Sequence, residues 1–209
     1  MVKGRTKQPE AVVYVVDDDD SFRDSLTWLV ESMGFDVRAF ASARAFLEDY
    51  RGDCPGCLVL DVRMRGMNGV ELLEILPEKH IKIPTIIMSA FGDVPTAVRA
   101  MKAGAVEFLE KPFSDQALLD QIERAVARDR ERREKSKRRI VVRQRVDSLT
   151  PRELEVLVLI GAGMSHPDIA QKIDVKVRTV AVHRANILKK MKATSTADLI
   201  RMYLSIQFD

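Results

Sequence analysis

The sequence predicts an α/β domain followed by an all-α domain. The first is a five-stranded parallel sheet with helices on both faces; a helical linker then leads to four helices that include a helix-turn-helix. Three observations carry this. Short apolar runs alternate with helix-period segments through the first half, the pattern of βα units around a parallel sheet. After position 148 only helical patterns occur, and three of the four open on a capping residue. Charge is also divided: the first 113 of the 209 residues hold 14 Lys/Arg against 18 Asp/Glu and the rest hold 20 against 13, which closes on the net charge of +3. An acidic first part and a basic second part point to two tasks, the second beside a polyanion.

Strand-length apolar runs lie at Ala11–Val16, Asp36–Phe40, Cys57–Asp61, Thr85–Ser89 and Ala105–Leu109. Helical patterns fall between them at Ser21–Met33, Ser42–Tyr50, Asn68–Leu76 and Val94–Ala103, and a fifth begins near Ser114. The first, third and fourth runs are almost wholly apolar, as strands covered on both faces should be. The first run leads straight into four aspartates, VVYVVDDDD. In parallel sheets of this kind, ligands sit beyond the C-terminal strand ends. Those ends carry Asp17 and Asp18, Asp61, Ser89 and Lys111. Three carboxylates, a hydroxyl and an amine therefore gather at one rim, a cation site for which Mg²⁺ is the natural occupant. Asp19 and Asp20 are left to cap the helix near Ser21.

Cys54 and Cys57 form CPGC, a spacing that invites a redox reading. The motif opens an apolar strand and not a helix, so Cys57 reads as a small core residue. From Arg128 to Arg145 there are 10 basic and 3 acidic residues, with no apolar residue before Ile140. The pairs Asp129–Arg133, Glu131–Lys135 and Glu134–Arg138 have the spacing that supports a solvated helix, and no a/d seam is present. A break is expected within Ile140–Asp147. Beyond it, TPRE at 150–153 is a capping box with proline at the first helical position. Ser165–Asp168 and Ser195–Asp198 repeat the form. With the run Val177–Lys192 this gives four helices, two of them joined by a short turn around Asp174. No stretch is apolar and long enough to span a membrane, and MVKGRTKQPE does not read as a secretory signal. A cytoplasmic protein with no membrane partner is the expectation.

Periodicity also sorts the faces of the 177–192 helix. With Val180 at zero and 100° per residue, Val180, Ile187 and Met191 share one face. Arg178, Val182, Ala185, Asn186 and Lys189 lie opposite, the face expected in a DNA major groove. Lys176, Lys190 and Lys192 are expected on phosphates, where they position without reading sequence.

Residues 11–113, with VDD at 16–18, LDVRM at 60–64, MSA at 88–90 and EKPF at 110–113, resemble the receiver domain of bacterial two-component response regulators. Residues 149–205, with LTPRELEVL, IAQKI and TVAVHRANI, resemble the LuxR-type DNA-binding domain. Their order, with GDVPTAVRAMKAGAVEFLEKPF, is similar to the FixJ-like branch of the NarL/FixJ family. The resemblance implies a flavodoxin-like (βα)5 receiver at 11–127 after a tail at 1–10, a charged helical linker at 128–147, and a LuxR-type domain at 148–209. It implies that Asp61 takes a phosphoryl group from a sensor histidine kinase. Asp18, Asp61 and the Arg63 backbone carbonyl would hold Mg²⁺, with Asp17 acting mostly through water. Lys111 and Ser89 would bind the phosphoryl oxygens, and Phe108 stands at the aromatic switch position. The implied output is a phosphorylation-dependent homodimer on double-stranded promoter DNA, with RNA polymerase as a further partner and no enzyme activity beyond self-phosphorylation and slow autodephosphorylation.

The sequence departs from the family in two places. Arg65 occupies a position that is usually proline, so positive charge from Arg65 or Arg63 is expected near the phosphoryl group. Ala181 stands where a polar residue is common, which shifts base readout toward thymine methyl contacts. Two other readings remain at this point: a receiver that regulates DNA binding without phosphorylation, and a haloacid-dehalogenase-like phosphatase with Asp17 as nucleophile and Asp19 as acid.

Overall fold

The computed structural model describes residues 11–90 and 93–207, so the expected tail at 1–10 lies outside the described residues. The chain divides into two compact units at Arg133/Glu134. In the first unit, strands β1 (Val12–Val16), β2 (Asp36–Phe40), β3 (Gly56–Asp61), β4 (Thr85–Ser89) and β5 (Glu107–Glu110) form one parallel sheet of order β2-β1-β3-β4-β5. The reversal of order between β1 and β3 is the switch point at which such sheets open a crevice. Every residue of β1, β3 and β4 is buried, as their unbroken apolar runs require, while the edge strands β2 and β5 are partly exposed.

Helices α1 (Asp20–Ser32) and α5 (Asp115–Asp147) cover one face; Leu26, Val30, Leu118 and Ile122 pack there on Val13, Val59 and Met88. Helices α2 (Ala43–Asp49), α3 (Gly69–Ile75) and α4 (Val94–Lys102) cover the other, with Phe46, Leu72 and Ala100 on Tyr14, Leu60 and Ile87. Cys57 is fully buried in this sheet, and burial pushes its thiol well up, the opposite of an activated redox cysteine. Strand β5 starts two residues later than the apolar run suggests. The Ala105 N–H closes back on Ala100 O at 3.0 Å, and pairing with β4 takes over only from Val106.

The break expected within Ile140–Asp147 is absent: α5 is one helix of 33 residues. Periodic burial explains it, since Val142 is buried and Val146 and Leu149 pack beside it in the core of the second unit. Near its middle the helix is tied to the first unit. Asp129, with 0% exposure, accepts from the Gly56 N–H at 3.1 Å and pairs with Arg132 and Arg133. Arg133 also donates to Gly52 O at 2.8 Å, and Arg132 to Lys82 O. Asp129, Arg132 and Arg133, within the span expected as a charged helical linker, thus serve as packing surface.

In the second unit, α6 (Pro151–Gly161), α7 (His166–Lys172), α8 (Val177–Met191) and α9 (Thr196–Leu204) enclose a core of Val156, Leu157, Ile169, Val180, Ile187 and Leu199. The three predicted caps are present. Thr150 and Glu153 form a reciprocal box, and Ser165 and Ser195 accept from the Asp168 and Asp198 N–H groups. Between α7 and α8, Asp174 adopts φ 53°, a left-handed turn that aspartate tolerates better than most residues. Among the described residues no helix is long and apolar enough to cross a membrane.

Candidate functional site

The C-terminal rim of the sheet brings Asp17, Asp61 and Lys111 into direct contact. Lys111 Nζ donates to Asp17 Oδ2 at 3.0 Å and to Asp61 Oδ1 at 2.7 Å. Both carboxylates are nearly buried, at 2% and 6% exposure. β1 and β3 are adjacent strands whose ends place like charges together, and the amine from the end of β5 offsets their repulsion. Lys111 is itself held: its N–H donates to Ser89 O at 2.7 Å, and its ammonium lies 3.7 Å from the centre of the Phe22 ring. Burial pushes the Asp61 carboxyl above the ordinary aspartate range; Lys111 opposes that shift and the neighbouring Asp17 adds to it. A carboxylate with one amine partner, at the mouth of a buried strand, is a usable oxygen nucleophile.

The four aspartates of the opening motif separate into four environments. Asp17 Oδ1 accepts the Asp19 N–H at 2.9 Å while its Oδ2 faces Lys111. Asp18 turns across the rim to the loop after β3, where its Oδ2 accepts the Arg65 N–H at 3.0 Å. Asp19 caps α1 by accepting from Phe22 N at 3.0 Å, and Asp20 pairs with Arg23. Asp19, the acid of the phosphatase reading, is therefore spent on a helix cap. Arg23 adds a donation to Asp17 O at 2.8 Å, fixing the start of α1 to the end of β1.

Ser89 is buried at the end of β4, and Phe108 is half-buried against the α2–α4 face of the sheet. Arg63 enters the site through its N–H, which donates to Asp61 Oδ2 at 2.6 Å. Among the described residues no group of three or more His, Cys, Asp or Glu is arranged to hold a metal unaided. Mg²⁺ takes one or two carboxylates and keeps several waters. Asp18 and Asp61 supply hard oxygen donors of the right type and number.

Two contributors were not foreseen from the sequence. Gly69 opens α3 so close to the site loop that a Cβ there would meet Asp61 O at 2.2 Å. The Asn68-Gly69 dipeptide at a helix start is its only sequence signal. Phe22 supplies the ring beneath Lys111, and nothing in the sequence pairs two positions so far apart.

On α8, Val180, Ile187 and Met191 are buried, while Arg178, Val182, Ala185, Asn186 and Lys189 are exposed together. Lys176 and Lys192 are also exposed. Lys190 departs from the expected phosphate role. Its ammonium sits 2.7 Å from Glu153 Oε2 and 3.3 Å from Ser148 O, because the nearly buried Glu153 needs a cation.

Comparison with known proteins agrees with this geometry. The response regulator receiver domain matches residues 13–123, and the luxR family of bacterial regulatory proteins matches residues 147–203. Nodulation protein W of Bradyrhizobium diazoefficiens is 45% identical over 193 residues, covering 92% of this chain and 85% of that protein. Transcriptional regulatory protein FixJ of the same organism is 45% identical over 193 residues, covering 91% and 93%. The structure of response regulator StyR superposes with a TM-score of 0.82 at 45% identity, covering 93% of this chain and 98% of that one. The chain belongs to the FixJ/NodW-type response regulators, phosphorylation-dependent transcriptional regulators that join a receiver to a LuxR-type DNA-binding domain.

Proposed function

We propose that Asp61 is the phosphoacceptor, and that its modification switches promoter binding by α8. The observation that carries this is Lys111 Nζ lying between Asp17 and Asp61, at 3.0 and 2.7 Å. A histidine kinase delivers the phosphoryl group: an Asp61 oxygen attacks phosphorus, the P–N bond to the donor imidazole breaks, and an acyl phosphate forms. Asp18, Asp61 and the Arg63 carbonyl would hold Mg²⁺, with Asp17 acting mostly through water. When bound, the ion lowers the repulsion between an anionic donor and an anionic nucleophile. Lys111 and the Ser89 hydroxyl then take the phosphoryl oxygens, and the backbone around Phe108 repacks as Ser89 moves. A groove of about 600 Å³ lined by Phe22, Trp28, Leu29 and Phe113, with Asp24 and Asp115 also in its lining, opens beside Lys111, a mixed apolar and acidic surface suited to the approaching kinase.

Reversing an inactive-to-active ratio from 99:1 to 1:99 needs about 5.5 kcal/mol of differential stabilisation. Each charge-assisted hydrogen bond contributes about 1.5–3 kcal/mol, so roughly two to four to the phosphoryl group suffice. The phosphorylated receiver dimerises and two α8 helices bind half-sites about one helical turn apart. Arg178, Val182, Ala185, Asn186 and Lys189 face the bases, Lys176 and Lys192 the phosphates, and RNA polymerase is the partner downstream.

The test is intact-protein mass after incubation with acetyl phosphate and Mg²⁺. One phosphoryl adduct is expected in the wild type and none in Asp61→Asn. An adduct that survives Asp61→Asn but is lost in Asp17→Asn would replace Asp61 with Asp17 as nucleophile. No adduct in any form would leave a regulator that works without phosphorylation.

A further inference from the structure

Lys111 compensates two of the three rim carboxylates; the third has a different partner. Asp18 Oδ2 accepts the Arg65 N–H at 3.0 Å, and Arg65 Nε lies 3.9 Å from the same oxygen. Among the described residues Asp18 has no other hydrogen-bond or ion-pair partner. The Arg65 side chain is 99% exposed, so its ion pair with Asp18 is a solvent-facing one and the backbone N–H is the closer contact. A proline in this position could make neither contact, having no N–H and no charge. Each rim carboxylate thus has a cation of the chain beside it, two cations against three carboxylates, so the resting rim keeps a net negative charge.

We infer that Arg65 is a resident counter-charge on Asp18, which a divalent cation must displace to use that carboxylate. It weakens cation binding in the resting protein and makes it steeply dependent on salt. The inference rests on the reading of Asp18 as a metal-holding carboxylate. Once displaced, the guanidinium remains in a cleft of about 540 Å³ that Asp18, Arg63 and Arg65 line together at the edge of the acidic site. A phosphoryl group on Asp61 then offers it a new anion. The charge that opposes the cation before phosphorylation opposes it less afterwards, so cation binding and phosphorylation reinforce one another.

The experiment is a MgCl2 titration of the ¹⁵N-labelled full chain, read from the amide shifts of residues 17–20 and 63–66. Wild type, Arg65→Gln, Arg65→Lys, Arg65→Pro and Asp18→Asn are compared at about 20 mM and about 1 M NaCl. Arg65→Gln is expected to bind Mg²⁺ about three- to fivefold more tightly at low salt, the upper range for an exposed ion pair. That gain shrinks toward unity at 1 M, where the screening length falls to about 3 Å. Arg65→Lys stays near wild type. Arg65→Pro, which also removes the N–H donation, binds most tightly. An Arg65→Gln affinity equal to wild type at low salt, or a gain undiminished by salt, overturns the inference while a loss of binding in Asp18→Asn upholds the ligand reading. If Asp18→Asn binds as tightly as wild type, the ligand reading falls and the inference falls with it.

Discussion

Replacing Lys111 with methionine keeps an apolar stem over the Phe22 ring and removes the charge between Asp17 and Asp61. At an effective dielectric of 20, unit charges at the observed 3.0 and 2.7 Å attract by about 5–6 kcal/mol each before desolvation is subtracted. Desolvation cancels most of that gain, but deletion of one partner strands the other charges in the interior, which costs about 3–5 kcal/mol. The Lys111 side chain retains 19% exposure, so water relieves part of the strain, and about 3 kcal/mol is the expected loss at neutral pH. Protonation offers a second relief. Burial already pushes the Asp61 carboxyl up, and Lys111 opposes that push. A carboxyl whose folded pKa lies above its unfolded value binds its proton more tightly in the folded state. Stability therefore rises as pH falls through the folded pKa toward the unfolded value of about 3.9. The deficit of Lys111→Met must then narrow as the pH is lowered from neutral toward the folded value. Scanning calorimetry in EDTA reads both, with fluorescence of Trp28, the single tryptophan, marking the transition of the first unit. At about 4 °C per kcal/mol the expected shift is about 12 °C at pH 7.5. A shift under about 4 °C, or one that does not narrow on acidification, refutes the view that this amine balances two buried carboxylates.

Asp129→Ala leaves the Gly56 N–H unmatched and removes the partner of Arg133, so the first unit should lose about 3 kcal/mol in urea unfolding; a double-mutant cycle with Arg133→Met should show coupling above about 1 kcal/mol. Lys192→Ala should flatten the log K against log salt slope for DNA by about 0.9, whereas Lys190→Ala should leave the slope alone and lower the stability of the second unit by about 1–2 kcal/mol. Lys190 holds the Glu153 carboxyl below the usual glutamate range, helped by the Thr150 N–H. Its stabilising contribution is therefore present at neutral pH and is lost as pH falls through the folded value, an acid limb that Glu153→Gln should flatten in the thermal transition of the second unit.

Alternation of apolar runs and helical periods was enough to locate all five strands and the sheet class, because burial on both faces leaves unbroken apolar strings such as Val12–Val16 and Gly56–Asp61. The rule that ligands lie beyond strand ends was enough to gather Asp17, Asp61 and Lys111, which do meet. Periodicity likewise sorted α8, where Val180, Ile187 and Met191 are buried as expected. It failed where a side chain finds a distant partner. Lys190 lies within the positive tail of α8 by sequence, yet Glu153, which is 37 residues earlier, claims it. Asp129 looked like one member of a solvated i,i+4 pair until the backbone of β3 came within reach. The expected break in 140–147 failed for a related reason. An all-polar run followed by Ile140–Val142 looks like a boundary, but Val142 and Val146 are spaced by four and continue the helix as a packing face.

The same distinction accounts for four consecutive aspartates at the end of a buried strand. Strand geometry sends Asp17 inward and a helix start needs Asp19, and both follow from local rules. Asp18 follows from neither. Its environment is set by the loop that follows β3, 47 residues away, where Arg65 brings both a backbone donor and a charge to one oxygen. A carboxylate tethered this way is the one member of the rim whose partner comes from a loop residue and not from another strand end. Tuning of the site in this chain therefore falls on the Asp18–Arg65 contact, while the buried Asp17–Lys111–Asp61 arrangement leaves little room for substitution.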